Sequence, residues 1–330
     1  MRPGRIHPFL SDGSTVLLRL SFGKGKMLGI STSWKSEISD SGRGVIQAIL
    51  DLGAELIELE YRITPPMLQE ILPLLKERQV SVLSLHNFFP LPEGLSKKEA
   101  SGDIFSLSSP EKEERELAVK HTRRTIEWAQ ELEARTVVLH LGKTLFNSPM
   151  ETLKKLYDER KIQSAEGKAF IAEQKRLRAA QSQAYLDSAL WCLEKLAKEA
   201  EKRAVFLGLE NRYNIEDFPN FDEFQILFRE LSGSRVRYWH DIGHATAQQN
   251  LGLTNQGELL ENFGDLLAGF HLHGCKGYED HRAPGSGEED YSLVKELLKP
   301  DTLCVVETHH RTSREELLRG LEFLRQKGIS

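Results

Sequence analysis

The segment YWHDIGHATAQQN, residues 238–250, sets Asp241 and His244 three positions apart, where the strand-like run SRVRYW gives way to a loop. An aspartate and a histidine so spaced can aim at one small volume, which suits a divalent cation. Asp241 also has a plainer use, as the N-cap of a following helix. The pattern recurs along the chain. His86 ends VSVLSLH, His140 lies near the end of TVVLHL, and Glu210 ends VFLGLE. Asp241 ends RVRYWHD, His271 lies near the end of LLAGFHLH, and Glu307 falls at the end of LCVVET. Packing alone does not explain six successive runs that each deliver His, Asp or Glu to one rim. Carboxylates gathered out of water repel one another and resist desolvation. A divalent cation offsets both costs.

These residues need elements to hold them. Eight short apolar runs read as strands: 27–31, 56–61, 80–86, 136–141, 205–210, 235–241, 266–273 and 303–308. Helical patterns alternate with them, such as RGVIQAILDLG (43–53), PPMLQEILPLLKER (65–78) and REELLRGLEFLRQKG (314–328). Gly53 and Gly328 stand where helix C-caps belong. Eight β/α units predict an α/β fold, a (β/α)8 TIM barrel, rather than a doubly wound sheet. Glu210 to Asp241 is 31 positions and Asp241 to His271 is 30, close to one barrel unit. The steps from His86 to His140 and from His140 to Glu210 are longer, at 54 and 70 positions, which predicts insertions after strands 3 and 4. The first is a long loop over 87–110; the second is a charged helical insertion over about 148–203. Loops on this face build active sites, so a lid or substrate wall is one use of them; an oligomer contact or a solvated arm is the other.

The totals narrow the class. The chain has 330 residues, 39% hydrophobic and 28% charged, with a net charge of −5. No uniform positive field is available to attract nucleic acid, and no run approaches a membrane span. Three cysteines, without a CxxC pair, predict a reducing, cytoplasmic setting rather than a disulfide framework. Residues 1–26 read as an N-terminal extension of undecided kind, and residues 27–330 as a single barrel domain. A homo-oligomer is compatible with all of this.

The motifs LHNFFP, VVLHLG, LGLENR, HDIGHA, FHLHG, DHRAPGSGE and VVETHH together resemble the xylose isomerase-like TIM-barrel superfamily over about residues 27–328. That group contains sugar isomerases, sugar 3-epimerases and apurinic-site nucleases of the endonuclease IV type. The resemblance implies that Glu210, Asp241, His271 and Glu307 hold a metal. Three oxygen donors with one imidazole suit Mn, Mg, Co or Zn. In the nuclease branch, the positions of His86, His140, His244 and His281 carry additional zinc ligands. Two departures weaken that branch: Glu279 stands where the nuclease has Asp beside His281, and Phe89 stands where it has Tyr.

The resulting expectation is a divalent-metal-dependent sugar or sugar-phosphate isomerase/epimerase of carbohydrate metabolism. The metal would polarise the substrate carbonyl and stabilise an enediolate. Glu210 and Glu307, on opposite sides of it, would act as acid and base. Arg212, Lys143, Lys276 and Arg282 follow strand ends and are candidates to hold a phosphate or carboxylate of the carbohydrate. The alternative is an endonuclease IV-like multi-zinc phosphodiesterase, with a further zinc on His86 and His140 bridged by Glu210. The acidic balance and Glu279 favour the isomerase, with His86 and His140 positioning sugar hydroxyls. Glu60, His273 and His309 are further candidates near the rim, as substrate contacts or supporting donors, whereas His240 and His310 should point away.

Overall fold

The computed structural model describes residues 27–329, so the expectation for residues 1–26 lies outside the described residues. Ten strands follow in chain order: β1 (Met27–Ser31), β2 (Leu56–Leu59), β3 (Ser81–His86), β4 (Thr136–Leu139), β5 (Phe206–Glu210), β6 (Val236–Asp241), β7 (Leu267–Leu272), β8 (Gly274–Lys276), β9 (Glu279–Arg282) and β10 (Leu303–Val306). All but β8 and β9 are parallel and form a closed barrel, in which β10 lies between β7 and β1. The register closes with Met27 opposite Leu303 and Ile30 opposite Val306. β8 and β9 make a small antiparallel pair above the end of β7.

The apolar runs read as strands because parallel barrel strands are covered on both faces. β4 and β10 are buried at every residue. One face meets the helical ring, through residues such as Val45, Ile71, Ile126, Leu193 and Leu317. The other fills the barrel, where Met27, Leu83, Val138, Trp239, Leu303 and Val305 pack together. The Trp239 ring fits because two neighbours lack side chains. A Cβ on Gly269 would lie 2.5 Å from it, and one on Gly208 3.2 Å from it. Above this layer the lining turns polar, and Glu58, Ser84, His86, Glu210, Asp241, His271 and Glu307 are all buried at the C-terminal ends of the strands. That is the end at which barrel enzymes build their sites.

The two insertions crowd the same end. Residues 87–110 run from β3 to the helix Lys112–Glu131. After β4, the helices Met150–Asp158 and Ala165–Ala179 bury Leu153, Leu156 and Ile171 against Ile215, Leu251 and Leu253, in a small core of their own. The helix Gln183–Lys202 instead packs on Lys112–Glu131 and β5 as a member of the ring. The part of 148–203 that stands outside the ring therefore ends before Gln183. Arg178 pins it down: fully buried, it pairs with Glu223 and donates to the carbonyls of Ile215 and Asp217.

Candidate metal centre

Glu210 stands at the middle of the site and works from both oxygens. Oε1 lies 2.7 Å from His271 Nδ1. Oε2 lies 2.7 Å from His140 Nε2 and 3.4 Å from His86 Nε2. His271 Nδ1 is also 3.0 Å from Glu307 and 3.8 Å from Asp241. The four residues Glu210, Asp241, His271 and Glu307 thus offer ligand atoms that all lie within 4.8 Å of one another, and so do His86, His140 and Glu210. The donor set fits a cation. Glu210 Oε2 is buried and has no hydrogen-bond partner, although an imidazole nitrogen approaches to 2.7 Å. Two donor atoms drawn this close, out of water, are arranged as two ligands of one ion would be. The ring centroids of His86 and His140 are 4.7 Å apart, as adjacent strand ends require.

A third group lies beyond Asp241. His244, His273 and His281 offer nitrogens within the same 4.8 Å limit. His273, however, has both nitrogens committed. Its Nδ1 accepts from the His281 main-chain N–H at 2.9 Å, so its Nε2–H donates to Asp241, also at 2.9 Å. Asp280 flanks this group, with one carboxylate oxygen 3.6 Å from His244 Nε2 and the other 3.2 Å from His281 Nδ1. Glu279, which stands at the nuclease's Asp position, turns its exposed carboxylate to Arg282 at the surface. His281, next to Asp280, adopts φ 54°, so the short strand β9 departs from regular β geometry where the two side chains meet.

Acceptors on the far side of three rings leave the inner nitrogen free for a metal. His86 Nδ1–H donates to the Asn87 carbonyl at 3.0 Å, and His244 Nδ1–H to the Asn211 carbonyl at 3.1 Å. His271 Nε2–H donates to Glu58 at 3.1 Å, and Glu58 is held in turn by Ser84 at 2.7 Å. Such acceptors orient the ring and raise its basicity as a ligand. Asp241 serves both uses read from its sequence. Its Oδ1 caps the helix Ile242–Asn250 by accepting from His244 N at 2.6 Å, and the same carboxylate faces His271. Asn211 ties β5 to β6, donating to the Asp241 carbonyl at 2.9 Å and accepting its N–H at 2.8 Å.

Charge is concentrated here, and protons now do what a cation would do. Burial opposes a charged His271, but Glu307, Glu58 and Glu210 hold its proton well above the ordinary histidine range. Burial likewise opposes a charged His86, yet contact with Glu210 raises it to about 8. For His281, burial is outweighed by Asp280, which lifts it to about 9. Glu210 is buried too, and the rings of His271 and His140 keep it well below the usual carboxylate range. Rings with raised pKa are protonated at pH 7 and must lose those protons to bind a metal. Uptake of Zn²⁺ or Mn²⁺ at pH 7 is therefore expected to release protons, and affinity should rise with pH until pH exceeds about 8 to 9. Calorimetric titrations in two buffers of different ionisation enthalpy measure this; identical apparent enthalpies would contradict it.

Of the cations expected to meet substrate, Arg212 is at the centre. It is 7% exposed, lies 2.7 Å from Asp103 and 3.8 Å from Asp217, and two of its guanidinium nitrogens have no hydrogen-bond partner. Lys143 is exposed beside it, with its backbone bridged to Asp217. Lys276 and Arg282 are turned to solvent, and Arg282 is occupied by Glu279. Glu60 is fully engaged by Ser36 and Arg62. His240 points away from the cluster, 2.7 Å from the Tyr238 hydroxyl, and His310 pairs with Glu37 at the surface. His309 stacks on His281 at 4.0 Å. Sequence reading missed Glu58, Asp103, Asp280 and Asn211. Strand alternation could have found Glu58, two positions before Glu60 on the same face.

The profile of the xylose isomerase-like TIM barrel matches residues 46–327. The chain belongs to this family. Solved structures similar to this xylose isomerase-like barrel include a D-tagatose 3-epimerase-like protein, with 18% identity, a TM-score of 0.63, and 92% of this chain and 98% of that one covered. A 3-keto-D-glucoside 4-epimerase from E. coli gives 16% identity and a TM-score of 0.64, over 92% of this chain and 100% of that one. A putative xylose isomerase from Rhodospirillum rubrum gives 16% identity and a TM-score of 0.62, over 92% and 99%. No curated protein matches the sequence. At these identities the likeness speaks for the fold. Among the described residues, no helix is long and apolar enough to cross a membrane.

Proposed function

We propose that this xylose isomerase-like barrel is a divalent-metal-dependent hydrolase of phosphate diesters. The observation that carries the reading is the two-sided use of Glu210, with His271 on one oxygen and His86 and His140 on the other. A four-ligand group alone serves an isomerase. Glu210 shared with a second group of rings, and a further group around His244 and His281 beyond Asp241 with Asp280 beside it, would offer three adjoining places for cations. Divalent cations there would supply Lewis acidity at the phosphate and activate the attacking water. The chain's own residues do the rest. Arg212 supplies a fixed positive charge beside Glu210 for a non-reacting phosphate oxygen. Glu58, Asn87, Asn211 and His273 hold the ligating groups in register. The burial of the ligands keeps bulk water out. A net charge of −5 and this enclosure favour a small diester over duplex nucleic acid.

The second reading is a metal-dependent sugar or sugar-phosphate isomerase/epimerase. The specific observation in its favour is the Glu210–Asp241–His271–Glu307 group, together with the epimerases among the similar folds. In that reading Glu210 and Glu307 move a proton on opposite faces of a small carbohydrate, while His86 and His140 position its hydroxyls. Elemental analysis after loading with Zn²⁺ or Mn²⁺, with two assays, separates the two. More than one metal per chain, and hydrolysis of bis(p-nitrophenyl) phosphate lost in His86→Ala/His140→Ala, is expected. A single metal per chain, with deuterium exchange into a ketohexose that Glu307→Gln abolishes, overturns the hydrolase reading.

A further inference from the structure

We infer that Asp103 is a positioning residue for the His86–His140–Glu210 pocket, and that this pocket binds its cation at full affinity only with the segment 87–110 lying across it. The inference rests on the multi-pocket reading above. His86, His244 and His271 take their outer acceptors from the barrel strands or the residues directly after them. His140 does not. Its Nδ1 is buried, has no hydrogen bond, and is faced by Asp103 Oδ2 at 3.5 Å. Asp103 comes from the long loop after β3. It is steered by Arg212, 2.7 Å away, which a second carboxylate, Asp217, faces at 3.8 Å. At 3.5 Å the link to His140 is long for a hydrogen bond, so the carboxylate charge orients the ring.

The loop backbone bears on the same two rings. A Cβ on Gly102 would lie 2.6 Å from His140 Nδ1 and 2.9 Å from His86 Cε1. Only glycine allows the chain to approach so closely. One loop therefore covers both rings of the pocket and delivers the carboxylate that one of them lacks. A negative charge at Nδ1 keeps the proton there and leaves the Nε2 lone pair on the Glu210 side. It also makes His140 a stronger ligand.

The test is metal titration of the full chain, by calorimetry with elemental analysis, on wild type, Asp103→Asn, Asp103→Glu and Gly102→Ala. Asp103→Asn should weaken one class of site by ~10–100-fold, the scale for loss of a supporting carboxylate, and leave the others unchanged. Asp103→Glu should recover part of that affinity. Gly102→Ala, which wedges the loop away, should give the same selective loss. Apo-protein thermal melts check that the variants fold; should Asp103→Asn fail, Gly102→Ala decides alone. Unchanged affinity, or equal weakening of every site, overturns the inference. If wild type binds several metals and the variants match it, only this inference falls. If wild type binds a single metal, the hydrolase reading falls with it.

Discussion

Glu210→Gln should remove metal from two pockets at once. The carboxylate gives one oxygen to the side of His271, Asp241 and Glu307, and the other to the side of His86 and His140. Glutamine keeps the volume and one carbonyl oxygen. It replaces the other oxygen with an amide that has no lone pair to offer a cation, and it removes the charge. The four-ligand pocket would retain Asp241, His271 and Glu307 and be weakened. The His86–His140 pocket would keep two neutral rings alone and be weakened more. Diester hydrolysis should fall by at least ~10²–10³-fold, the scale for losing one preorganised electrostatic group. Asp280→Asn is the contrast, because it touches only the pocket of His244 and His281. Elemental analysis should find a larger metal deficit in Glu210→Gln than in Asp280→Asn. A deficit confined to one equivalent, or activity within tenfold of wild type, would defeat the bridging role.

The same residue shows how far sequence reading reaches. Glu210, Asp241, His271 and Glu307 were legible because a barrel strand is a short apolar run and its last polar residue sits at the rim. The period is set by the β/α unit, so the spacing of about 30 residues names the register without side-chain detail. His86 and His140 were legible on the same ground, and so was their approach to each other. Asp280 was not. A two-residue choice between Glu279 and Asp280 depends on the backbone of a short hairpin, which is irregular at His281, with φ 54°. Glu279 therefore counted against a multi-metal centre on sequence, while Asp280 counts for one in the structure. Asp103 was out of reach for a different reason. It lies in a loop without periodicity, and its partners Arg212 and His140 are 109 and 37 positions downstream. Contacts of that kind are set by how the insertion folds back, which no local pattern encodes.

Arg178→Met should be the most destabilising single change outside the barrel, at about 3–5 kcal/mol, the range for removing one partner of a buried ion pair. The guanidinium is 1% exposed and Glu223 is 3% exposed. Arg178 donates to Glu223 and to the carbonyls of Ile215 at 3.2 Å and Asp217 at 2.9 Å. Methionine fills much of the space but leaves a buried carboxylate and two carbonyls without their donor. An apparent melting temperature lower by ~5–15 °C is expected. Glu223→Gln added to Arg178→Met should restore part of the loss, because glutamine removes the stranded charge. It can still accept from the Asn220 N–H, as Glu223 now does at 2.7 Å in the capping box of the helix Phe221–Glu230. The effect should also reach the candidate metal centre. Arg178 fixes the main chain at Asp217, Asp217 faces Arg212, and Arg212 steers Asp103. The Michaelis constant for a diester should therefore rise in Arg178→Met even where the protein is fully folded. A melting shift under about 2 °C, less than the ~2–4 °C expected per kcal/mol, would mean that the insertion is not held by this pair. A double variant no more stable than the single one would mean that the stranded charge is not the source of the cost.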